Sequence, residues 1–446
     1  MSIDVRQGDI DSARIRDDAA ARGHDEAHEF HLGPLRARPP RLGSLFFWRR
    51  MLRFTTAGES HGPALVCTLE GMVAGLSLEA EVVNRELGRR QQGYGRGRRM
   101  QIERDEIEFL SGVRAGETLG SPIAMLIRNR DWKNWVDVMD PAARPGEEGP
   151  RRRAVTRVRP GHADLTGMLK YDRSDARDIL ERASARETTA RVAAGAICRR
   201  FLAEFGVRIG SHVTHLGGIE ARRPDPMPGD INAAADASAV RMLDPHAAER
   251  VVARIDEIKR AGNTLGGICE VVVDELPVGL GSHVSWDRKL DGRLAAALMS
   301  IPAVKGVEIG MGFECARLTG ADVHDEIELA PGRTRAGNVR RRTNRAGGTE
   351  GGMTTGEPLV IRVAMKPIST LMRPLGTVDV ATGQAAAATA ERSDVTAVPA
   401  MGVIAEAMVA FVLAQAWLEK FGGDSLAETC GNHGSYLTRV AQRLEA

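Results

Sequence analysis

Aromatic side chains are scarce in this chain: Phe, Trp and Tyr make up 4% of its 446 residues. That is too few for the stacking platforms on which single-stranded nucleic acid is bound. No uninterrupted apolar run reaches about 18 residues, so no membrane span is expected. The longest candidate, Val395 to Trp417, is broken by Glu406 and Gln415 and reads as a buried helix. The five cysteines (Cys67, Cys198, Cys269, Cys315, Cys430) are odd in number and form no C-x-x-C pair. They read as buried thiols in a reducing compartment, which excludes a disulfide frame or a zinc site. No charge dominates either: 61 basic residues face 59 acidic ones, a net charge of +2. A Walker loop is missing, and "EIGMGFEC", the nearest approach to G-x-G-x-x-G, lacks the third glycine.

What is present points to a globular body with ligand-facing loops. Hydrophobic residues reach 43%, and the 49 glycines cluster in short runs where backbone can come close to a ligand. The basic residues are nearly all arginine, whose planar fork suits carboxylate and phosphate. Residues 1–50 are dense in both charges and poor in apolar residues, a disorder composition. They carry neither the apolar segment of a signal peptide nor the acid-poor composition of a transit sequence, so a cytoplasmic location is expected. We expect a non-functional extension over 1–50, a natural start at Met51, and a single domain from 51 to 446.

From Met51 onward strands alternate with helices. "ALVCTLEGM" and "GGICEVVVDEL" read as half-buried strands, and "EAEVVNRELGRR" as a surface helix. Thr188 to Phe205, Leu290 to Met299 and Ala397 to Phe421 read as packed helices. Segments 136–156 and 221–248, rich in Pro, Ala and charge, read as long surface excursions.

Several stretches carry chemistry. "TTAGESHGPALV" puts Glu59, Ser60 and His61 on one bend between glycines, where either an ordinary turn or a reactive corner fits. Ser211-His212 lies in a strand-like run and reads as structural or surface, and Ser282-His283 as a surface loop. In "RVRPGHADLTG" the guanidiniums of Arg157 and Arg159 precede His162; such neighbours favour a neutral imidazole that becomes an acid when an anion arrives. "GRRQQGYGRGRRM" and "RRTNRAGGTEGGMTTGEP" interleave arginine with glycine, a pattern able to turn backbone N–H groups and guanidiniums toward one phosphate. Arg182, Ser184 and Arg186 head one long helix, and Arg392, Ser393 and Asp394 precede another. Ser393 or Asp394 could equally be a simple N-cap. "MKPIST" closes a strand with a lysine and two hydroxyls. A nucleic-acid reading of "GYGRGRR", Arg151 to Arg153 and "VRRRTNR" fails on the scarce aromatics and balanced charge.

Taken together, the blocks "GESHG", "RRQQGYGRGRRM", "RPGHAD", "ERASARETTARVAAGAI", "ALMSIPAVKGVEIGMGF", "NRAGGTEGGMTTG", "MKPIST" and "RSDVTAVPAMGVIAEAM" resemble the chorismate synthase family, from Met51 to about Thr429. The resemblance implies an α+β sandwich with helices enclosed between antiparallel sheets, two related halves and a homotetramer. It implies a lyase of the shikimate pathway, acting at its seventh step toward the aromatic amino acids. That enzyme eliminates phosphate from 5-enolpyruvylshikimate 3-phosphate with reduced FMN (FMNH2) and no net redox change.

Matched by position, His61 would protonate the departing phosphate and His162 the reduced flavin. Asp394 would act near flavin N5, with Ser60 and Ser184 as a proton relay. Arg90 and Arg96 match basic-loop arginines for a phosphate-bearing ligand or NADP. Arg182, Ala183, Ser184, Pro302, Ala303, Gly351, Lys366, Pro367, Ile368, Ser369, Thr370 and Arg392 match flavin-contacting segments. Three positions depart from the family pattern: Pro302 where Asn or Gln is usual, Met311 for Asp, and Ala183 for Ser. No reductase domain is seen in the sequence, so a separate flavin reductant is expected, with NADPH at most an indirect source. The implied chemistry requires no metal, no nucleic acid and no membrane. A flavin-binding protein that has lost its elimination chemistry is the alternative, were Pro302 or Met311 to distort the site.

Overall fold

The computed structural model describes residues 52–96, 104–142, 153–389 and 394–443. The expected extension over 1–50, Met51 and Arg392 lie outside the described residues. Two antiparallel sheets form the outer layers. The first runs Arg53–Ala57, Ala64–Glu70, Ile123–Arg128, Ile107–Ser111. Along its second strand Leu65, Cys67 and Leu69 are buried and alternate with half-buried neighbours, the period-2 pattern of a sheet with one core face. The other sheet runs Val304–Ile309, Leu359–Met365, Gly267–Asp274, Arg208–Leu216, Ile219–Glu220.

Between the sheets lie two long helices packed on each other. Thr188–Ala203 contacts the first sheet and Val398–Phe421 the second. Their closeness explains the small residues: a Cβ on Gly195 would stand 2.4 Å from the Cβ of Ala407. On the opposite face of the second helix, a Cβ on Gly402 would meet Ser211 Oγ at 2.9 Å and Cys269 Sγ at 3.3 Å. Val398–Phe421 is, among the described residues, the one helix long and apolar enough to cross a membrane, and 83% of its apolar window is buried inside the protein. The α+β sandwich expected from the sequence is the observed fold.

A carboxylate sits at the middle of that apolar helix. Glu406, 1% exposed, accepts from Ser211 Oγ (2.6 Å), Arg89 Nη1 (2.9 Å), Arg199 Nη1 (2.6 Å), Arg241 Nη2 (3.2 Å) and Asn232 Nδ2 (3.1 Å). Burial alone would raise its carboxyl, but the three guanidiniums outweigh that and bring it down to about 2.

This network corrects two sequence expectations. Ala80–Gln91 is no surface helix, because Val83, Glu86, Leu87, Arg89 and Arg90 are buried and Arg89 reaches Glu406. Nor is the whole of 221–248 a surface excursion: residues 221–230 stay at the surface, but 231–248 packs into the protein. Its helix Ile231–Asp236 packs Ile231 against Gly210, and Asn232, Val240, Arg241 and Met242 are buried with it. With that segment docked on the sheet, the middle of Gly267–Asp274 is buried on both faces rather than one. Ser211 and His212 are both buried, so the structural reading of that pair holds. The cysteines divide: Cys67, Cys198 and Cys269 are buried as expected, Cys315 is half-buried, and Cys430 is exposed because its helix shows it to solvent.

A small satellite core, Val155, Val158, Met168, Ala176 and Leu180, organises residues 153–181. Its two short helices, Asp164–Tyr171 and Arg177–Leu180, approach so closely that a Cβ on Gly167 would lie 2.3 Å from Ile179 Cγ2. Hydrogen bonds from Val380 N to Thr156 O (3.0 Å) and from Thr377 Oγ1 to Val158 O (2.7 Å) tie this unit to the hairpin Gly376–Ala387.

Candidate active site

The bend after the first strand is a reactive corner held from outside itself. Gly58 takes φ +106°, and a Cβ there would stand 2.4 Å from Ala64 O, so only glycine closes the turn. Arg182 fixes the strand end by donating to Gly58 O (3.2 Å), Thr56 O (2.9 Å) and Thr56 Oγ1 (2.6 Å). The corner then docks on Glu181. Ser60 N donates to Glu181 O (2.9 Å) and His61 N to Glu181 Oε2 (2.9 Å), while His61 Nδ1 lies 2.8 Å from the same oxygen. The imidazole stacks on Trp135 with centroids 3.7 Å apart. Glu181 is itself braced by Arg177 Nη1 at 2.8 Å. Burial would raise its carboxyl, yet His61 and Arg177 together hold it below the ordinary range. Ser184 Oγ donates to Ser60 Oγ at 3.1 Å, so the two serines expected to form a relay are in contact.

Ser184 also caps the single turn Ala185–Glu187, which leads to an arginine cluster. Arg90 is buried; it donates to Thr188 Oγ1 (3.0 Å) and Ala185 O (2.8 Å) and faces Asp105 at 3.6 Å. Arg186 meets Asp105 at 3.3 Å, and Arg96 meets Asp394 at 3.2 Å. The loops of the last pair are joined by Val395 N donating to Gly95 O (2.9 Å). Burial pushes Arg90 down to about 10, against the pull of Asp105 and with Arg96 and Arg186 adding to the fall. Among the described residues three guanidiniums meet two carboxylates here, an arrangement suited to an anion. Asp394 is not an N-cap: the helix starts at Val398, after Ala397, and Asp394 serves Arg96 instead.

His162 heads another cluster. Its Nδ1 lies 2.5 Å from Asp164 Oδ1, and fully buried Asp164 also accepts from Arg159 N (3.0 Å), Nε (2.8 Å) and Nη2 (3.0 Å). Despite its burial, Asp164 is held well below the usual carboxylate range by His162 and Arg159. The expected guanidinium neighbour is present in Arg159, whose Nη2 lies 3.1 Å from His162 Nδ1, but Asp164 shares that nitrogen and Arg157 turns to Asp379 at 3.8 Å. Lys366 Nζ donates to Gly161 O, and Arg159 Nη1 to Thr370 Oγ1 (3.3 Å), so the Lys366–Thr370 segment lies on the His162 loop. Lys366 N donates to Ala303 O at 3.0 Å, which brings Pro302 and Ala303 to the same place. Gly351 does not join them. It lies beside Gly352, whose carbonyl accepts from Leu290 N at the start of helix Leu290–Met299, whereas Pro302 follows its end, about 15 Å along the axis.

The sequence of this chain fits the family model described as chorismate synthase over residues 52–418. A chorismate synthase of Symbiobacterium thermophilum is 56% identical over 395 residues, covering 88% of this chain and all of that relative. One from Geobacter metallireducens is 55% identical over 390 residues, with 87% and 98% covered. A solved structure titled "Crystal Structure of Chorismate Synthase" superposes with a TM-score of 0.70 at 44% identity, over 88% of this chain and 99% of that one. The chain belongs to the chorismate synthase family.

Within the family frame, two carboxylates that sequence reasoning passed over, Glu181 and Asp164, turn out to hold the two histidines. Both lie on the 153–181 unit. Asp164 stands two residues from His162 and was legible as a neighbour; Glu181 is 120 residues from His61 and was not. The departures at 311 and 183 sit where the contacts are made by backbone. Met311 N donates to Arg345 O (2.9 Å) and its carbonyl accepts from Arg362 (3.1 Å), while Ala183 N donates to Ile179 O (3.0 Å). Three of the four arginines of "VRRRTNR" are paired with acids, Arg340 with Glu328, Arg341 with Glu350 and Arg342 with Glu326, rather than left open for a nucleic-acid backbone.

Proposed function

We propose that this chain catalyses the anti-1,4-elimination of phosphate from 5-enolpyruvylshikimate 3-phosphate to give chorismate, as a lyase that requires reduced FMN. The ring C–O bond to phosphate and a ring C–H bond break, a C=C bond forms, and no net electrons are transferred. The observation that carries this reading is one corner that holds both the Ser184–Ser60 contact and the His61–Glu181 pair, beside the Arg90, Arg96 and Arg186 cluster. It sets a proton donor next to positive charge suited to a phosphate and carboxylates.

The donor set around His162 fits a flavin mononucleotide. Lys366 and the hydroxyls of Ser369 and Thr370 suit a phosphate, and Lys366 Nζ reaches the carbonyl of Gly161, next to His162. Pro302, Ala303 and Lys366 to Thr370 would hold the flavin. Reduced flavin, when bound, supplies transient electron density to the substrate ring as phosphate leaves. His61 gives a proton to the departing phosphate, and Ser60 and Ser184 pass protons behind it. His162, held by Asp164, would present a proton to the cofactor, and Asp394, paired with Arg96, would act near the flavin. Arg90, Arg96 and Arg186 orient the anionic substrate. We assign reduction of the flavin to a separate donor, and a homotetramer as the working assembly.

An anaerobic assay with chemically reduced FMN and 5-enolpyruvylshikimate 3-phosphate, followed by chorismate absorbance, tests the reading. Turnover is expected in the wild type, with losses of about 10²- to 10⁴-fold in His61→Ala and His162→Ala. A wild type that binds both ligands and forms no chorismate would refute it.

A further inference from the structure

We propose that Glu181 is the positioning residue for His61, fixing the proton of the neutral ring on Nδ1 so that Nε2 is the atom that gives up and regains a proton. The inference rests on the proton-donor role given to His61 above. An ionised carboxylate can only accept hydrogen bonds. Glu181 holds one oxygen 2.8 Å and the other 3.0 Å from Nδ1, so that nitrogen carries hydrogen in both the charged and the neutral ring.

The rest of the corner enforces this choice. Glu181 Oε2 also takes the backbone N–H of His61, and its own carbonyl takes that of Ser60, so one residue fixes ring and loop together. Arg177, at the start of the short helix that Glu181 closes, donates to Oε1 at 2.8 Å and keeps the carboxylate ionised and in place. Trp135 covers one face of the imidazole, with the guanidiniums of Arg153 and Arg177 5.1 and 5.4 Å from its ring. Other charged groups at this corner, among the described residues, are Glu59, whose Oε2 lies beside Gly62, Arg182, which is bound to Thr56 and Gly58, Glu187, which accepts from Thr56 Oγ1 (3.0 Å), and Asp131, which accepts from Trp135 Nε1 (2.9 Å).

The consequence is chemical. When Nε2–H is transferred to a leaving oxygen, the ring that remains is already the tautomer Glu181 prefers, and no rotation or second proton shift is needed. Glutamine at 181 keeps the shape but can donate through its amide, which makes the opposite tautomer equally acceptable.

Two measurements test this. The first is ¹⁵N spectroscopy of histidine-labelled full-length protein, with His61→Ala identifying the signals. Wild-type His61 is expected to show, in its neutral ring, a protonated Nδ1 and an unprotonated Nε2; Glu181→Gln is expected to mix or reverse them. A wild-type signature with the proton on Nε2 overturns the proposal without reference to any reaction, and needs no variant at position 181 to fold. The second is the elimination assay. Glu181→Gln is expected to lower kcat about 10²- to 10⁴-fold with KM little changed, and Glu181→Asp to recover part of it. In a His61→Ala background the same change is expected to add no more than about threefold. A full additional loss in that background would mean a merely structural role and would sink the idea. The expected tautomer together with absent turnover in every form would instead refute the proposed reaction and leave the assignment at His61 standing.

Discussion

Replacing Glu406 by glutamine removes the charge at the centre of the buried network while preserving its volume. In the folded protein its carboxyl falls from an ordinary value of 4.5 to about 2. At 1.4 kcal/mol per unit, that shift corresponds to about 3 kcal/mol of stability. The result agrees with the roughly 3–5 kcal/mol lost when one partner of a buried ion pair is removed. After substitution Arg89, Arg199 and Arg241 retain only Glu86 and Asp236, leaving three cations on two anions. Because the folded value lies below the unfolded one, the contribution is complete above about pH 4.5 and is lost as pH falls toward 2. Urea unfolding at fixed protomer concentration, read by fluorescence of fully buried Trp417 on the same helix, measures the difference. The variant is expected to unfold earlier by about 3 kcal/mol at pH 7, and the gap to narrow at pH 3. Coincident transitions at pH 7, or a gap that widens on acidification, would refute the reasoning.

The two core helices provide a second expectation: Gly195→Ala costs at least about 1–3 kcal/mol through overpacking against Ala407, and Ala407→Gly in the same chain restores part of it in the same unfolding assay. Asp164→Asn removes the carboxylate that holds His162 and Arg159, and chorismate formation is expected to fall by about 10²-fold or more while the chain stays folded by circular dichroism. Unchanged turnover in that variant would show that His162 needs no such support.

Local pattern made much of the scaffold legible. Leu290–Met299 was read to the residue, and the small-residue faces of Thr188–Ala203 and Val398–Phe421 announced close packing. The Ser-His bend was visible because glycines flank it. What pattern could not reveal were partners far apart in the chain. Arg89 looks like a surface residue at the end of a charged helix until Glu406, 317 positions away, is placed beside it. Segment 221–248 reads as surface because its larger apolar residues are scattered among prolines and charges, yet Ile231, Val240 and Met242 are all buried. At the site, one histidine's carboxylate was a chain neighbour and the other's was not, which is why the first could have been found by eye and the second could not.

The satellite unit over 153–181 has an evolutionary consequence. Both carboxylates that hold the histidines, and the arginines that brace them, are encoded in one uninterrupted stretch with its own small core. Genetic exchange between relatives with junctions outside this stretch transfers the whole arrangement intact. A junction within it would join two halves that had never been selected together, and would unsettle both histidines at once.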